Sequence, residues 1–288
     1  MTPPPNLFGH SFQNPVLLAA GTAGYGRELD GVADLARLGG IVTKAVSLEP
    51  RHGNPAPRVA EFAGGMLNSV GLANPGLAAV RTRELPWLRE HFPELAVLVN
   101  VVGFSLDEYA RVVAGLAAVE GLTAFELNLS CPNTSAGGIE FGADPAAVAE
   151  IITRCRRETS LPLLAKLSPV LADIPAMAEV AKDAGASGVT LINTIPGTLA
   201  DPAGQARLGQ GRGGVSGPPL LPIGVLATRL VAERLPGFPI IGVGGIRSAA
   251  DARQYLRAGA SLIAIGTAGL ADPRLPERVA RELERDDG

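Results

Sequence analysis

From end to end the chain alternates between short apolar, β-branched runs and stretches of helical period, and it does so eight times. The apolar runs fall at 15–20, 40–45, 96–102, 124–130, 161–168, 188–194, 239–244 and 261–266. The helical stretches lie between and after them, at 29–38, 76–90, 106–120, 144–159, 173–184, 220–235, 248–258 and 269–284. Strict strand–helix alternation builds a parallel sheet. Strands that read as nearly unbroken apolar runs are those covered on both faces. An open doubly wound sheet would share this pattern. The count of eight, and the placement of the motifs below, favour a closed (β/α)8 TIM barrel. Such a barrel takes about 250 residues and folds as one unit, so residues 1–288 are read as one α/β domain.

Three connections, 46–75, 131–143 and 195–219, are too long for ordinary strand-to-helix turns. Each follows the C-terminal end of a strand, which in a barrel is the active-site face. Two glycine motifs close the last two strands on that face, Gly242-Val243-Gly244-Gly245-Ile246 and Gly266-Thr267-Ala268. Glycine lets backbone N–H groups approach an anion, and a helix N-terminus follows each motif. Barrels frequently bind phosphate between these two loops, and Ser216-Gly217 could supply a third wall. One glycine pair would be read as a tight turn; two at the expected strand ends point to phosphate. No Gly-x-Gly-x-x-Gly follows the first strand, so a Rossmann-type NAD site is not supported.

Scarcity narrows the chemistry. The three histidines, His10, His52 and His91, are scattered without metal-ligand spacing. The two cysteines, Cys131 and Cys155, are too few for a disulfide framework or an iron–sulfur cluster. No metal is expected, and proton transfer here would not use the usual histidine. A net charge of −3, with no basic stretch interleaved with aromatics, argues against nucleic acid. No apolar run reaches the roughly 18–20 residues that span a bilayer. The first nine residues carry three prolines and no charged leader, so they do not read as a signal peptide, and the chain is read as cytoplasmic. Of 25 basic residues only Lys44, Lys166 and Lys182 are lysines. A lysine in an apolar run therefore marks a role that arginine cannot fill, such as a compact ammonium in a tight pocket.

Five apolar runs carry such a polar intruder near their ends: Lys44, Asn100, Asn128, Lys166 and Asn193. Burying any of them is unfavourable unless it is paired. One asparagine alone would be read as a strand cap; five on one rim imply a polar ligand. Amides suit a ring with both N–H and C=O edges, and lysines suit a carboxylate or a developing anion. Together with the phosphate glycines, the set fits flavin mononucleotide (FMN) and a small anionic heterocycle.

At this point the residues resemble a known family. Asn128-Leu129-Ser130-Cys131-Pro132-Asn133 is similar to the active-site segment of the class 1 dihydroorotate dehydrogenases. The stretch 48–58 resembles that family's signature after the second strand, 65–76 its substrate loop, and 213–218 completes the match, in order from Asn14 to Thr267. The resemblance implies a (β/α)8 barrel with FMN at its C-terminal mouth. It implies that Ala20, Gly21, Thr22 and Ala45 line the flavin by backbone contacts, Ala20 standing where many relatives have serine. Lys44 would lie beside both flavin and substrate; Asn100, Asn128 and Ile192 would flank the isoalloxazine; Lys166 would face its N1–C2=O edge. Gly217, Gly244, Gly245, Gly266 and Thr267 would hold ribityl and phosphate groups. The dihydroorotate site would comprise Lys44, Asn68, Ser69, Val70, Gly71, Leu72, Asn128, Asn133, Asn193 and Thr194.

Oxidising dihydroorotate to orotate removes a proton from C5 and a hydride from C6. The resemblance implies flavin as hydride acceptor and Cys131 as base. A free thiol has a pKa of about 8.5, lowered beside lysine, and Lys44 is the candidate perturber. Cys131 precedes Pro132 in a long connection whose stretch 132–143, with Gly137-Gly138, could act as a lid. Cys155, among Ile151 and Ile152, reads as a small buried hydrophobe. The segments 65–68 and 137–142 look more like the NAD-linked class 1B type than the fumarate-using class 1A type. With no NAD fold and too few cysteines for a cluster, the chain would need a partner carrying FAD and an iron–sulfur centre, in a heterotetramer around a core homodimer. A dihydropyrimidine dehydrogenase-like enzyme and a non-catalytic FMN-binding scaffold barrel are the alternatives left open.

Overall fold

The computed structural model describes residues 5–129, 132–133 and 139–286, with backbone alone at 132–133, 139–140 and 286. Eight strands close a barrel in sequence order: β1 (Val16–Leu18), β2 (Gly40–Val42), β3 (Ala96–Val101), β4 (Ala124–Asn128), β5 (Leu163–Leu167), β6 (Gly188–Leu191), β7 (Ile240–Val243) and β8 (Leu262–Ile265). Every neighbouring pair is parallel. Inward residues, among them Leu17, Val42, Leu98, Leu164, Ile241 and Leu262, form one buried cluster with the alanines at 19, 96, 124 and 264 between them. Large and small side chains thus interleave, which fills the barrel instead of leaving a pore. A hairpin of Asn6–Leu7 and His10–Ser11 delivers Phe12 into the same cluster, where it is fully buried. A larger apolar layer lies between the strands and the helices.

Four helices begin where a capping side chain dictates. Ser105, Asp144, Asp173 and Ser248 accept a backbone N–H from the first turns of Leu106–Leu116, Pro145–Glu158, Ile174–Asp183 and Ala249–Arg257, satisfying donors that the helix itself leaves open. The second helical stretch is Gly76–Ala79, a π turn at Val80–Glu84, and Leu85–His91. Leu221–Arg234 follows the sixth strand's long connection.

Two expected helices differ. The stretch 29–38 forms only short 3-10 turns, Arg27–Leu29 and Leu35–Arg37, because Gly31 between them takes φ +71°. The stretch 269–284 breaks into Thr267–Ala271 and Leu275–Asp286. Pro273 lacks the N–H that a continuing helix needs and holds Asp272 extended, at φ −142°.

The long connections do more than join elements. Those after β2 and β6 build a four-stranded antiparallel sheet in the order Ile195–Gly197, Gly213–Ser216, Gly65–Asn68, Val59–Phe62. It buries a small core of Ala60, Leu67 and Leu208. In the connection after β4, Pro132–Asn133 pairs with Ile139–Glu140 ahead of a turn at Phe141–Ala143. Among the described residues no helix is long and apolar enough to cross a membrane, and no group of His, Cys, Asp and Glu could hold a metal ion.

Candidate active site

Four adjacent strands turn a polar group into the barrel. Glu126 on β4 is almost fully buried. Its Oε1 accepts from Asn100 Nδ2 of β3 at 2.7 Å and lies 3.5 Å from Lys166 Nζ of β5. Its Oε2 accepts from Thr190 Oγ1 of β6 at 2.7 Å. Asn100 and Lys166 stand out in the sequence; Glu126 and Thr190 were missed. The available signal was a carboxylate amid Phe125-Glu126-Leu127, the same kind that marks Lys166. Nearer the rim, Asn193 Nδ2 donates to Asn128 Oδ1 at 3.3 Å, and Asn193 Oδ1 accepts the Thr194 N–H at 2.8 Å. Thr194 reaches so close to the antiparallel sheet that a Cβ on Gly214 would lie 2.0 Å from its Oγ1.

Lys44 lies just beyond β2. Its N–H donates to Gly24 O at 2.7 Å and Tyr25 Oη donates to Ala45 O at 3.0 Å, so the loop after β1 straps down the end of β2. Burial, with Glu84 and Glu28 nearby, raises the Tyr25 phenol above its ordinary range and keeps it a donor. The Lys44 side chain is half-buried and makes no hydrogen bond or ion pair among the described residues. It borders a recess of about 440 Å³ lined by Tyr25, Arg27, Glu28, Pro75 and Glu84.

The stretch 68–72 is held by residues to which sequence reasoning assigned no role. Asn68 Nδ2 donates to Gly214 O at 3.1 Å. Asn54 donates through Nδ2 to Ser69 Oγ at 2.8 Å and through its N–H to Val70 O at 3.1 Å. Gly71 packs so tightly on Asn54 that a Cβ would lie 2.5 Å from its backbone nitrogen. Leu72 takes φ +59°, a conformation that a branched side chain rarely adopts. Asn74 fixes it there, donating to Leu72 O and Ser47 Oγ, both at 2.8 Å, and accepting the Gly76 N–H at 2.9 Å.

The glycine end is equally determined. Gly217, Gly244 and Gly245 have φ of +99°, +127° and +73°. A Cβ on Gly245 would lie 2.6 Å from Leu221 N. Tyr255 Oη donates to Gly244 O at 2.8 Å, and Thr267 Oγ1 donates to Ser216 Oγ at 2.8 Å, linking the loops after β8 and β6. Gly266 abuts Ala19 and Thr22, while Gly21, at φ +80°, faces open space. Thr22 Oγ1 donates to Ala19 O at 2.7 Å, beside Ala20. Ile192 is buried, its N–H bonded to Val243 O at 3.0 Å.

Cys131 lies outside the described residues, as does the Asn133 side chain, but the flanks of their segment are fixed. Tyr109 Oη donates to Asn128 O at 2.7 Å, the Gly142 N–H donates to Leu129 O at 2.8 Å, and the Tyr109 ring meets Phe141 edge-on at 5.9 Å. The chain therefore leaves and rejoins the barrel at neighbouring points beside Asn128. Cys155 is fully buried, and burial pushes its thiol up to about 12, so it stays protonated and inert.

A family model described as dihydroorotate dehydrogenase matches residues 5–286. The chain belongs to the dihydroorotate dehydrogenase family. That match takes in the whole barrel and the antiparallel sheet over its mouth. Among the dihydroorotate dehydrogenases it resembles is the catalytic subunit of dihydroorotate dehydrogenase B (NAD(+)) from Cutibacterium acnes, 42% identical over 280 residues, covering 97% of this chain and 91% of the relative. The subunit of the same name from Geobacillus kaustophilus is 44% identical over 278 residues, covering 96% and 88%. That from Bacillus pumilus is 42% identical over 278 residues, covering 96% and 89%.

Proposed function

We propose that the chain is the catalytic subunit of an NAD+-linked dihydroorotate dehydrogenase, oxidising dihydroorotate to orotate in pyrimidine biosynthesis. The observation that carries this reading is the gathering of Asn100, Asn128, Lys166 and Asn193 inside one mouth of a barrel of this family. Relatives named for NAD(+) favour that oxidant over fumarate.

The residues present fit FMN. Left-handed glycines at 217, 244 and 245 leave backbone N–H groups unshielded for a phosphate. Gly21 faces open space, and the amide and ammonium donors at Asn100 and Lys166 suit the acceptor edge of a flavin. In this reading Gly217, Gly244, Gly245, Gly266 and Thr267 hold phosphate and ribityl groups, while Ala20, Gly21, Thr22, Ala45 and Ile192 pack the ring. Bound FMN supplies the acceptor for the C6 hydride. The ammonium of Lys44, without a partner among the described residues, binds the substrate carboxylate. Asn68, Asn128, Asn133, Asn193 and Thr194 bind the polar edges of the substrate ring, and the fixed stretch Ser69 to Leu72 walls it in. Cys131 takes the C5 proton, and the described flanks of its connection are tied together by the Gly142 N–H to Leu129 O bond. Electrons leave through a partner subunit carrying FAD and an iron–sulfur cluster, in a cytoplasmic heterotetramer with a homodimeric core.

The test is a substrate and acceptor screen on the purified chain loaded with FMN. Dihydroorotate should bleach the flavin and dihydrouracil should not; artificial acceptors should reoxidise it and NAD+ should not. Preferential bleaching by dihydrouracil, or rapid NAD+ reduction by the chain alone, would overturn the reading.

A further inference from the structure

Glu126 has no place in the chemistry above, yet its carboxylate takes partners from three other strands inside the barrel. Its two oxygens take Asn100 Nδ2 at 2.7 Å, Thr190 Oγ1 at 2.7 Å and the Lys166 ammonium at 3.5 Å. It is buried to 1% exposure and Lys166 to 7%. A buried ion pair is a weak device for stability, because desolvating both charges offsets their attraction, and apolar residues of similar size often serve as well. The inward layer below it is apolar, with Ala124 on β4, Leu98 on β3 and Leu164 on β5. That layer is filled without a charge, whereas the layer of Glu126 carries a buried ion pair.

We propose that Glu126 is a positioning residue that sets the reduction potential of the bound flavin through Lys166. The inference rests on the FMN reading given above. Asn100 and Lys166 are the two donors assigned there to the polar edge of the ring, and Glu126 holds both. It fixes where their donors point. It also offsets the positive charge of Lys166, which would otherwise favour the reduced, negatively charged flavin. A nicotinamide is a weak oxidant, so a flavin that must pass electrons towards it cannot be held too firmly in its reduced form. A carboxylate behind the lysine supplies that restraint, and a neutral residue of the same shape would not.

The experiment is a redox titration of bound FMN in the wild type, Glu126→Gln, Lys166→Gln and the double variant, with FMN affinity measured alongside. Glu126→Gln should raise the midpoint potential, favouring reduced over oxidised flavin about tenfold, which for a two-electron couple is about 30 mV. Lys166→Gln should lower it. In the Lys166→Gln background the Glu126 substitution should lose most of its effect. Should Glu126→Gln fold poorly, Glu126→Asp, which retracts the charge by one methylene, should give a smaller rise. A residue that merely filled space would leave the potential unmoved. An unchanged potential in either Glu126 variant, or an equal shift in both lysine backgrounds, would overturn the proposal. A chain that binds no FMN at all would instead overturn the functional reading beneath it.

Discussion

Gly245 and Gly237 have nearly the same backbone, φ +73° and +77°, and different surroundings. A Cβ on Gly237 would meet nothing within 4 Å. On Gly245 it would lie 2.6 Å from Leu221 N, 2.8 Å from its Cβ and 2.9 Å from its Cα. The pair separates two effects. A left-handed conformation costs an L-residue about 1–2 kcal/mol, so Gly237→Ala should lose about that much stability. At Gly245 the obstruction is main chain at the start of the helix Leu221–Arg234 and cannot swing aside. Forced backbone displacement of this kind adds about 1–3 kcal/mol, so Gly245→Ala should lose about 2–5 kcal/mol. The same displacement spreads the loops after β6 and β7, which the proposed FMN site uses for the phosphate. FMN affinity should fall at least tenfold, equivalent to about 1.4 kcal/mol, and remain unchanged in Gly237→Ala. Urea unfolding of the FMN-free proteins and fluorescence titration with FMN measure the two quantities. Equal behaviour of the two variants in both assays would refute the cradle argument.

Three further outcomes are expected. Thr228 Oγ1 is fully buried in the helix Leu221–Arg234 with no hydrogen-bond partner among the described residues; Thr228→Val should therefore raise stability by about 1 kcal/mol, and a loss of that size in thermal unfolding would contradict it. The Tyr109→Phe change removes the 2.7 Å bond to Asn128 O and should cost about 1–2 kcal/mol, with slower flavin bleaching because one flank of the Cys131 segment is freed; a stability loss with unaltered bleaching would show that this anchor does not position the base. The Cys155 thiol has a folded-state value of about 12, above the unfolded value of about 8.5. Its contribution is complete below about pH 8.5 and is lost as pH rises towards 12, by at most about 1.4 kcal/mol per unit. Stability should thus decline above pH 8.5 less steeply in Cys155→Ala than in the wild type, and parallel curves would count against the burial argument.

The barrel was legible because each strand is covered on both faces and must be written as an apolar run. The helix starts at 145, 174 and 249 were legible because Asp144, Asp173 and Ser248 are caps whose chemistry is local. Local chemistry also explains the two misplaced helices: Gly31 and Pro273 are visible breakers that the apolar period outweighed. The antiparallel sheet was not legible, since Gly213-Gly214-Val215-Ser216 and Gly65-Met66-Leu67-Asn68 are short, glycine-bearing and stabilised by each other. The site divides in the same way. Lysine and asparagine stand out in an apolar strand, so Lys166 and Asn100 could be found singly. Glu126 makes sense only with its partners on three other strands, and those contacts exist only once the barrel closes.

Cys131 is proposed to remove the C5 proton of dihydroorotate. The direct measurement is anaerobic stopped-flow mixing of the FMN-loaded chain with dihydroorotate near neutral pH, for the wild type and Cys131→Ala. The wild type should bleach quickly. The variant should bind FMN normally and bleach about 10²–10⁴-fold more slowly, the range a positioned general base contributes. Equal bleaching rates in the two proteins would remove Cys131 from that role.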